Sequence, residues 1–278
     1  MFGSDIRGTR GWFYIGGMGI QPVEIIKIIL LIFLAGYFAD LATKVKTLRH
    51  FFVSAISAGF LMFLVLLQPD FGSSLMLGAI WLLMVIFADF PKKYLLGVLV
   101  SVLIIFTLSW SFFFKDYQRQ RVMTFLNPGE NALAEGYNIS QAIIAVGSGS
   151  WNGKGVGFGS QSQLKFLPEA QNDFIFAVIA EELGFLGVSL VIFFFVLFFS
   201  RCLAAVKRLP NDFSIYFVLG AAGLIFIQMF INIGMNIGIM PVVGLSLPFI
   251  SYGGSSIFSL FILTGIIENI IIKSKINY

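Results

Sequence analysis

The sequence contains one cysteine, Cys202, and one histidine, His50. A lone cysteine excludes an intrachain disulfide, and the pair excludes a Cys/His-rich metal site. His50 stands beside Lys46 and Arg49 in a basic stretch and reads as a solvated side chain. Charge is scarce as well: 12% of the residues are Asp, Glu, Lys or Arg, where soluble domains carry about 25%. No polar block is long enough to form a separate soluble domain. The start, Met1 to Arg10, has no apolar core and does not read as a cleavable signal peptide. What the chain has instead is apolar surface, 58% hydrophobic and 16% aromatic with a mean hydropathy of +0.93, recurring along the whole length. That composition describes an integral membrane protein. The net charge of +4 comes from Lys and Arg in loops and is no sign of nucleic-acid binding.

Seven apolar runs have the length of membrane helices, at about 21–40, 51–68, 72–89, 94–114, 173–200, 213–237 and 255–272. About 20 residues rising roughly 1.5 Å each cover a hydrocarbon core of ~30 Å. Pro22 sits in the first turn of the first run, where a missing N–H costs nothing, and Asp70 is placed as the N-cap of the third. Trp12, Phe13 and Tyr14 precede the first run, as interfacial aromatics do. Residues 115–172 form one long connection, too long to be structureless. Within it Ile139, Ala142, Ile143 and Val146 follow the i, i+3, i+4, i+7 spacing of a short amphipathic or re-entrant helix. Residues 238–254 are rich in Gly and Pro. The cations Lys44, Lys46 and Arg49, then Lys92 and Lys93, then Arg201, Lys207 and Arg208, and finally Lys273 and Lys275 fall on one side of this topology. By the positive-inside rule that side and the C-terminus are cytoplasmic, and the 115–172 connection and the N-terminus face outward. An outward N-terminus on an odd number of spans leads us to expect more chain upstream.

Charges inside apolar spans cost on the order of 2.5–3.5 kcal/mol each, so each needs a reason. Glu24 and Lys27 lie three apart in the first span and share a helix face, which reads either as an ion pair that neutralises both or as a pair that also shapes a polar cavity. Glu181 and Glu182, in the fifth span, point roughly 100° apart and cannot face one partner. Outside the bilayer, Arg119 and Arg121 stand beside amides and Tyr117, either as a bidentate phosphate site or as a basic cluster at lipid headgroups. The stretch Gly147 to Gly157 looks like a phosphate loop, but Ser148 and Gly155 break the Walker pattern around Lys154 and no strand precedes it, so nucleotide binding is rejected. Its backbone can still approach a pyrophosphate closely. Asp173, where this outer connection enters the fifth span, reads equally as a helix N-cap and as a general base at the edge of the bilayer.

Several ordered stretches then resemble the SEDS family of bacterial envelope growth (FtsW/RodA/SpoVE), and within it the RodA branch. They are Gln21-Pro22-Val23-Glu24 with Lys27, Gln68-Pro69-Asp70-Phe71-Gly72, Asp116 to Arg121, and Gly136-Tyr137 leading to Ala145 to Gly149. Gly153-Lys154-Gly155, Ser160 to Leu164, Leu167-Pro168-Glu169 through Glu182, and Pro248 to Ser255 complete the set. The resemblance covers essentially the whole chain, 1–278, as one membrane domain that includes the outer connection. It departs at Gly11, where the family has Arg before Trp12, and at Val23, where it has Ser. It implies an all-α polytopic membrane helix bundle of ten helices, of which the sequence holds the last seven.

The resemblance further implies a peptidoglycan glycosyltransferase that polymerises lipid II into glycan strands during elongation. The catalytic residue is then Asp173, and Arg119, Arg121, Lys154, Gln161, Glu169 and Trp12 bind substrate. Glu24 and Lys27 form a structural ion pair. The partners would be lipid II, the nascent strand, a class B penicillin-binding protein and other membrane proteins of the elongation complex. No cofactor is implied, and no ligand cluster in the sequence supports the divalent cation that could assist at the pyrophosphate. A lipid II flippase, a septal FtsW-like polymerase and a non-catalytic scaffold are the alternatives. Intramembrane charges with Pro- and Gly-interrupted helices suit the flippase too.

Overall fold

A computed structural model of the chain describes residues 4–6, 9–15, 18–108, 110, 119, 123, 135–164 and 166–276. It opens with three short strands, β1 (Ser4–Ile6), β2 (Thr9–Ile15) and β3 (Met18–Ile20). They form an antiparallel sheet in the order β1-β2-β3, with Ser4 opposite Trp12 and Phe13 opposite Ile20. The sequence carries no readable strand period here, because the strands are short and interrupted by glycine. Nine helices follow among the described residues: α1 (Pro22–Ala39), α2 (Leu48–Leu66), α3 (Phe71–Phe87), α4 (Lys92–Leu108), α5 (Glu135–Ser148), α6 (Ser160–Gln163), α7 (Ile175–Val206), α8 (Asp212–Asn236) and α9 (Gly254–Ile276). The seven long ones stand at the seven apolar runs. Five of them, α1, α2, α7, α8 and α9, are long and apolar enough to cross a membrane, and α3 is a shorter apolar helix. The protein is a polytopic helical membrane protein. α7 runs past the expected end near residue 200 to Val206, since Cys202, Leu203 and the alanines beyond them continue to favour helix.

Chain contacts group the molecule into two compact units. The first holds Met1–Leu95, Phe198–Ile227 and Gly253–Tyr278, and the second Leu96–Leu197 and Gln228–Tyr252. Three of the four crossings lie inside α4, α7 and α8.

In the first unit α1 shows the inversion expected of a helix in lipid. Glu24, Lys27, Leu31, Leu34 and Phe38 are buried, while Ile25, Ile29, Ile32 and Phe33 are exposed. Lys27 Nζ meets Glu24 Oε1 at 2.8 Å, and the Ser259 hydroxyl of α9 donates to Glu24 Oε2 at 3.0 Å. The expected ion pair therefore exists and is satisfied on a third side. Asp70 caps α3: its Oδ1 accepts from Ser73 N at 2.9 Å, and its Oδ2 accepts from Ser73 Oγ and from Gln21 Nε2. His50 is not solvated as expected. It is half-buried, with Nδ1 3.2 Å from the Tyr37 hydroxyl, and Tyr37 lies on the helix that packs beside it.

Helices in this unit approach closely where glycine faces a neighbour, as membrane helices do. A Cβ on Gly220 of α8 would collide with Leu31 of α1 and Met84 of α3, whereas Gly36 of α1 has open space around it. Gly220→Val is expected to destabilise the protein by about 1–3 kcal/mol through overpacking. Gly36→Ala should instead stabilise it by up to about 1 kcal/mol through helix propensity. Thermal unfolding of the detergent-solubilised variants measures both, and a Gly220→Val protein as stable as the parent would contradict this packing.

Candidate active site

The second unit contains the outer connection. α5 buries Ile139, Ala142 and Ala145, with Gly136 and Gly149 on the same stripe. Ile143, expected on that face, is exposed: the buried spacing is every third residue, narrower than the expected pattern. Ala142 and Ala145 pack with Leu167, Phe174 and Ala177 into a small core.

The glycine-rich loop after α5 turns two of its amides to a neighbouring helix. It mends a break in α7. Gly184 has φ +64° and ψ −161°, which interrupts the helix. The carbonyls of Glu181 and Glu182 accept from Lys154 N and Gly155 N, each at 2.9 Å, and Phe185 N and Leu186 N donate to Ser150 O at 2.9 Å and Trp151 O at 3.2 Å. The i→i−4 bonds from Phe185 and Leu186 to Glu181 and Glu182 are thus replaced by bonds to the loop. Gly153 is required for the approach, because its φ is +75° and a Cβ there would strike the backbone of Glu182.

Lys154, expected at a pyrophosphate, is taken up by the same junction. Its Nζ lies 2.8 Å from Glu181 Oε1, with side chains 32% and 0% exposed respectively. Glu181 also accepts from Ser160 Oγ, Gln161 N and Ser162 N. The last two are amides at the start of α6, so the carboxylate caps that helix from a distance in sequence. Glu182 reaches the same residue, with Ser162 Oγ donating to its Oε1 at 3.1 Å, so the two glutamates, expected to be unable to face one partner, share Ser162 through its amide and its hydroxyl. Gln161 enters this arrangement through its backbone, with its side chain half-buried.

From α6 the chain runs to the turn that carries Asp173. Glu169 is exposed, has φ +56°, and accepts from Asn172 Nδ2 at 2.6 Å. α7 begins at Ile175, and the Phe174 carbonyl accepts from Val178 N at 3.2 Å. The residue before the helix is therefore Phe174, not Asp173 as the capping reading had it. The Ala177 amide is instead satisfied from α8, by Asn236 Oδ1 at 3.1 Å. Asn236 Nδ2 and Asn232 Nδ2 both donate to the Asp173 carbonyl, at 3.1 and 3.0 Å. Asn232 also donates to Leu245 O at 2.7 Å. The Gly/Pro-rich stretch after α8 is sewn to the same turn: Ser251 Oγ donates to Asn172 O at 2.6 Å and Tyr252 N to Gln171 O at 2.9 Å. Asp173 is left half-exposed, and a Cβ on Gly244 would lie 3.7 Å from its Oδ2.

Sequence reasoning missed Asn232, Asn236 and Ser251. A signal was available: Gln228, Asn232 and Asn236 recur every fourth residue in an apolar helix, and all three are buried. Amides on one face of a membrane helix need partners there.

A sequence model of the family described as a cell cycle protein, FtsW/RodA/SpoVE, matches residues 1–276. The chain belongs to the FtsW/RodA/SpoVE family. The peptidoglycan glycosyltransferase MrdB of Escherichia coli K12 is 39% identical over 269 residues, 97% of this chain and 72% of that protein. The stage V sporulation protein E of Bacillus subtilis is 36% identical over 95% of this chain and 72% of its own length. Among solved structures, a chain of a peptidoglycan synthase complex that coordinates polymerization and crosslinking matches with a TM-score of 0.81 and 30% identity, covering 97% of this chain and 75% of that one. The rod shape determining protein RodA of Thermus thermophilus matches with a TM-score of 0.66 and 27% identity, over 96% of this chain and 70% of its own.

Of the FtsW/RodA/SpoVE residues expected at the site, Asp173 and Glu169 share one turn, and Lys154 and Gln161 meet around Glu181. Arg119 is half-buried, with Nη2 donating to Trp110 O at 2.9 Å. Arg121 lies outside the described residues. Trp12 is half-exposed on β2 and belongs to the first unit, as do Glu24 and Lys27.

Lys154→Met removes the counter-charge of a fully buried carboxylate. It should cost on the order of 2–3 kcal/mol, below the usual range for a buried pair because the lysine end is partly solvated. Pairing it with Glu181→Gln should return part of that loss. Unfolding of the two variants in detergent measures the coupling, and a double variant no better than Lys154→Met alone would contradict the ion pair.

Proposed function

We propose that this chain is a peptidoglycan glycosyltransferase of the elongation type, joining lipid II units into glycan with Asp173 as general base. The carrying observation is the turn itself. Two buried amides grip the Asp173 carbonyl and a third strand of chain is sewn beside it, which leaves a half-exposed carboxylate on immobilised backbone. Fixing a reacting group in this way is a large source of catalysis, because orientation is settled before the reaction starts. In the proposed step Asp173 takes the proton from a sugar hydroxyl of lipid II. That oxygen attacks the anomeric carbon of the growing strand, a new C–O bond forms, and the bond to the undecaprenyl pyrophosphate breaks. A positioned base contributes about 10²–10⁴-fold.

Arg119 and Arg121 are proposed to meet the charge that develops on the pyrophosphate. Glu169, on the same turn as Asp173, and Gln161 and Trp12 are proposed to contact the sugars. Lys154 is assigned to the Glu181 junction instead. We place the basic loops and the C-terminus in the cytoplasm and the outer connection beyond the membrane, a reading that the distribution of Lys and Arg supports. By analogy with the synthase complex, the partner is a class B penicillin-binding protein that cross-links the new strand.

The test is polymerisation of purified lipid II by the purified membrane protein. Asp173→Ala should lower glycan formation by about 10²–10⁴-fold while folding normally. Normal polymer from that variant would overturn the catalytic assignment. Asn236→Ala should lower the turnover rate more than it weakens lipid II binding, since it loosens the base and touches no substrate. Transbilayer movement of labelled lipid II without polymer would favour a flippase.

A further inference from the structure

The break in α7 also divides its surface. From Ile175 to Glu182 no large apolar side chain is exposed; from Leu183 onward Phe185, Leu186, Leu190, Phe193 and Phe194 all are. The first part of α7 is thus buried or half-buried, and the second presents an exposed apolar face of the kind a membrane helix turns to lipid. The loop that mends the break sits at this boundary. Trp151 packs edge-on against Phe185 with ring centroids 5.0 Å apart, and it is still 70% exposed, with Val156 at 72% and Phe158 at 78%. These are the most outward apolar side chains of the loop, and they continue the lipid-facing surface of α7.

The loop is also built to leave water. Between Ser150 and Gly159 its one charged residue is Lys154, and that ammonium is paired with Glu181 and hydrogen-bonded to Ser160 Oγ at 3.0 Å. The amides of Gly153, Lys154, Gly155 and Phe158 all donate within the protein, and the carbonyls of Ser150 and Trp151 are used by α7. Irregular backbone is tolerated at membrane depth when its polar groups are satisfied by protein, and tryptophan favours the level of the lipid headgroups.

We propose that the 151–158 loop is a lipid-insertion element: Trp151, Val156 and Phe158 enter the adjacent leaflet at the boundary between headgroups and acyl chains, beside the break in α7. The partner is the phospholipid bilayer and not another protein. The bilayer edge then falls near Gly184, and the start of α7 stands about 13 Å along the helix axis beyond it. Asp173 would therefore face the sugars of a lipid-linked substrate and not its tails. The placement of the loop does not depend on the catalytic assignment.

The experiment is spin labelling of the full chain in nanodiscs of phosphatidylethanolamine and phosphatidylglycerol. In a Cys202→Ala background, single labels are placed through Val156→Cys and Phe158→Cys. Phe194→Cys supplies the lipid reference and Val45→Cys the aqueous one, Val45 being 83% exposed in a basic loop. Both test positions point outward, so the labels disturb no packing. Labels at 156 and 158 should collide with oxygen in preference to a water-soluble nickel chelate, with a ratio severalfold above that at 45 and close to that at 194. A ratio equal to that at 45 would place the loop in water, and shielding from both reagents would mean that protein covers it. Either result overturns the proposal.

Discussion

Four backbone hydrogen bonds tie α7 to the loop before it, and the outer connection is arranged around them. A helix broken inside an apolar segment leaves carbonyls and amides with no partner, and each costs several kcal/mol away from water. The break at Gly184 exposes the carbonyls of Glu181 and Glu182 and the amides of Phe185 and Leu186. All of these are taken up by Ser150, Trp151, Lys154 and Gly155. Once the loop is fixed there, the Glu181 carboxylate finds Lys154 and the first amides of α6 within reach, and the chain from α6 is delivered to the turn of Glu169 and Asp173. The interruption is therefore the anchor of the outer connection.

The same economy governs the polar residues buried in each unit. In the first, Glu24 is neutralised by Lys27 and receives a hydroxyl from Ser259. In the second, Asn232 and Asn236 divide their donors between the Asp173 carbonyl and the backbone around it. An amide that binds main chain rather than another side chain restrains a whole peptide unit. The Asp173 backbone is held this way while its side chain keeps some contact with the exterior.

The membrane setting explains why aromatic and aliphatic side chains lie on the outside of α1, α2 and the later part of α7 while the charged and amide groups lie inside. In water this distribution would be unstable. In lipid it is favourable, because polar groups gain partners only within the protein. The loop around Trp151 follows part of the same logic outside the regular helices: the amides of Lys154 and Gly155 and the carbonyls of Ser150 and Trp151 turn to α7, while Trp151, Val156 and Phe158 point outward.

Local features were legible in the amino-acid order. The seven long helices follow from runs of apolar residues, the Asp70 cap and the Glu24–Lys27 pair from partners three residues apart, and the position of the α5 helix from its short-range periodicity. These depend on contacts that spacing along one helix or turn dictates. The partner of Glu181 lies 27 residues away and that of the Asp173 carbonyl 63 residues away, and no local pattern specifies which distant segments meet. For the same reason the glycine-rich loop could be read as a cradle for a phosphate: glycine permits close approach, but only the folded chain decides what approaches. Here it is the opened backbone of α7, whose freed carbonyls and amides find their partners in the loop.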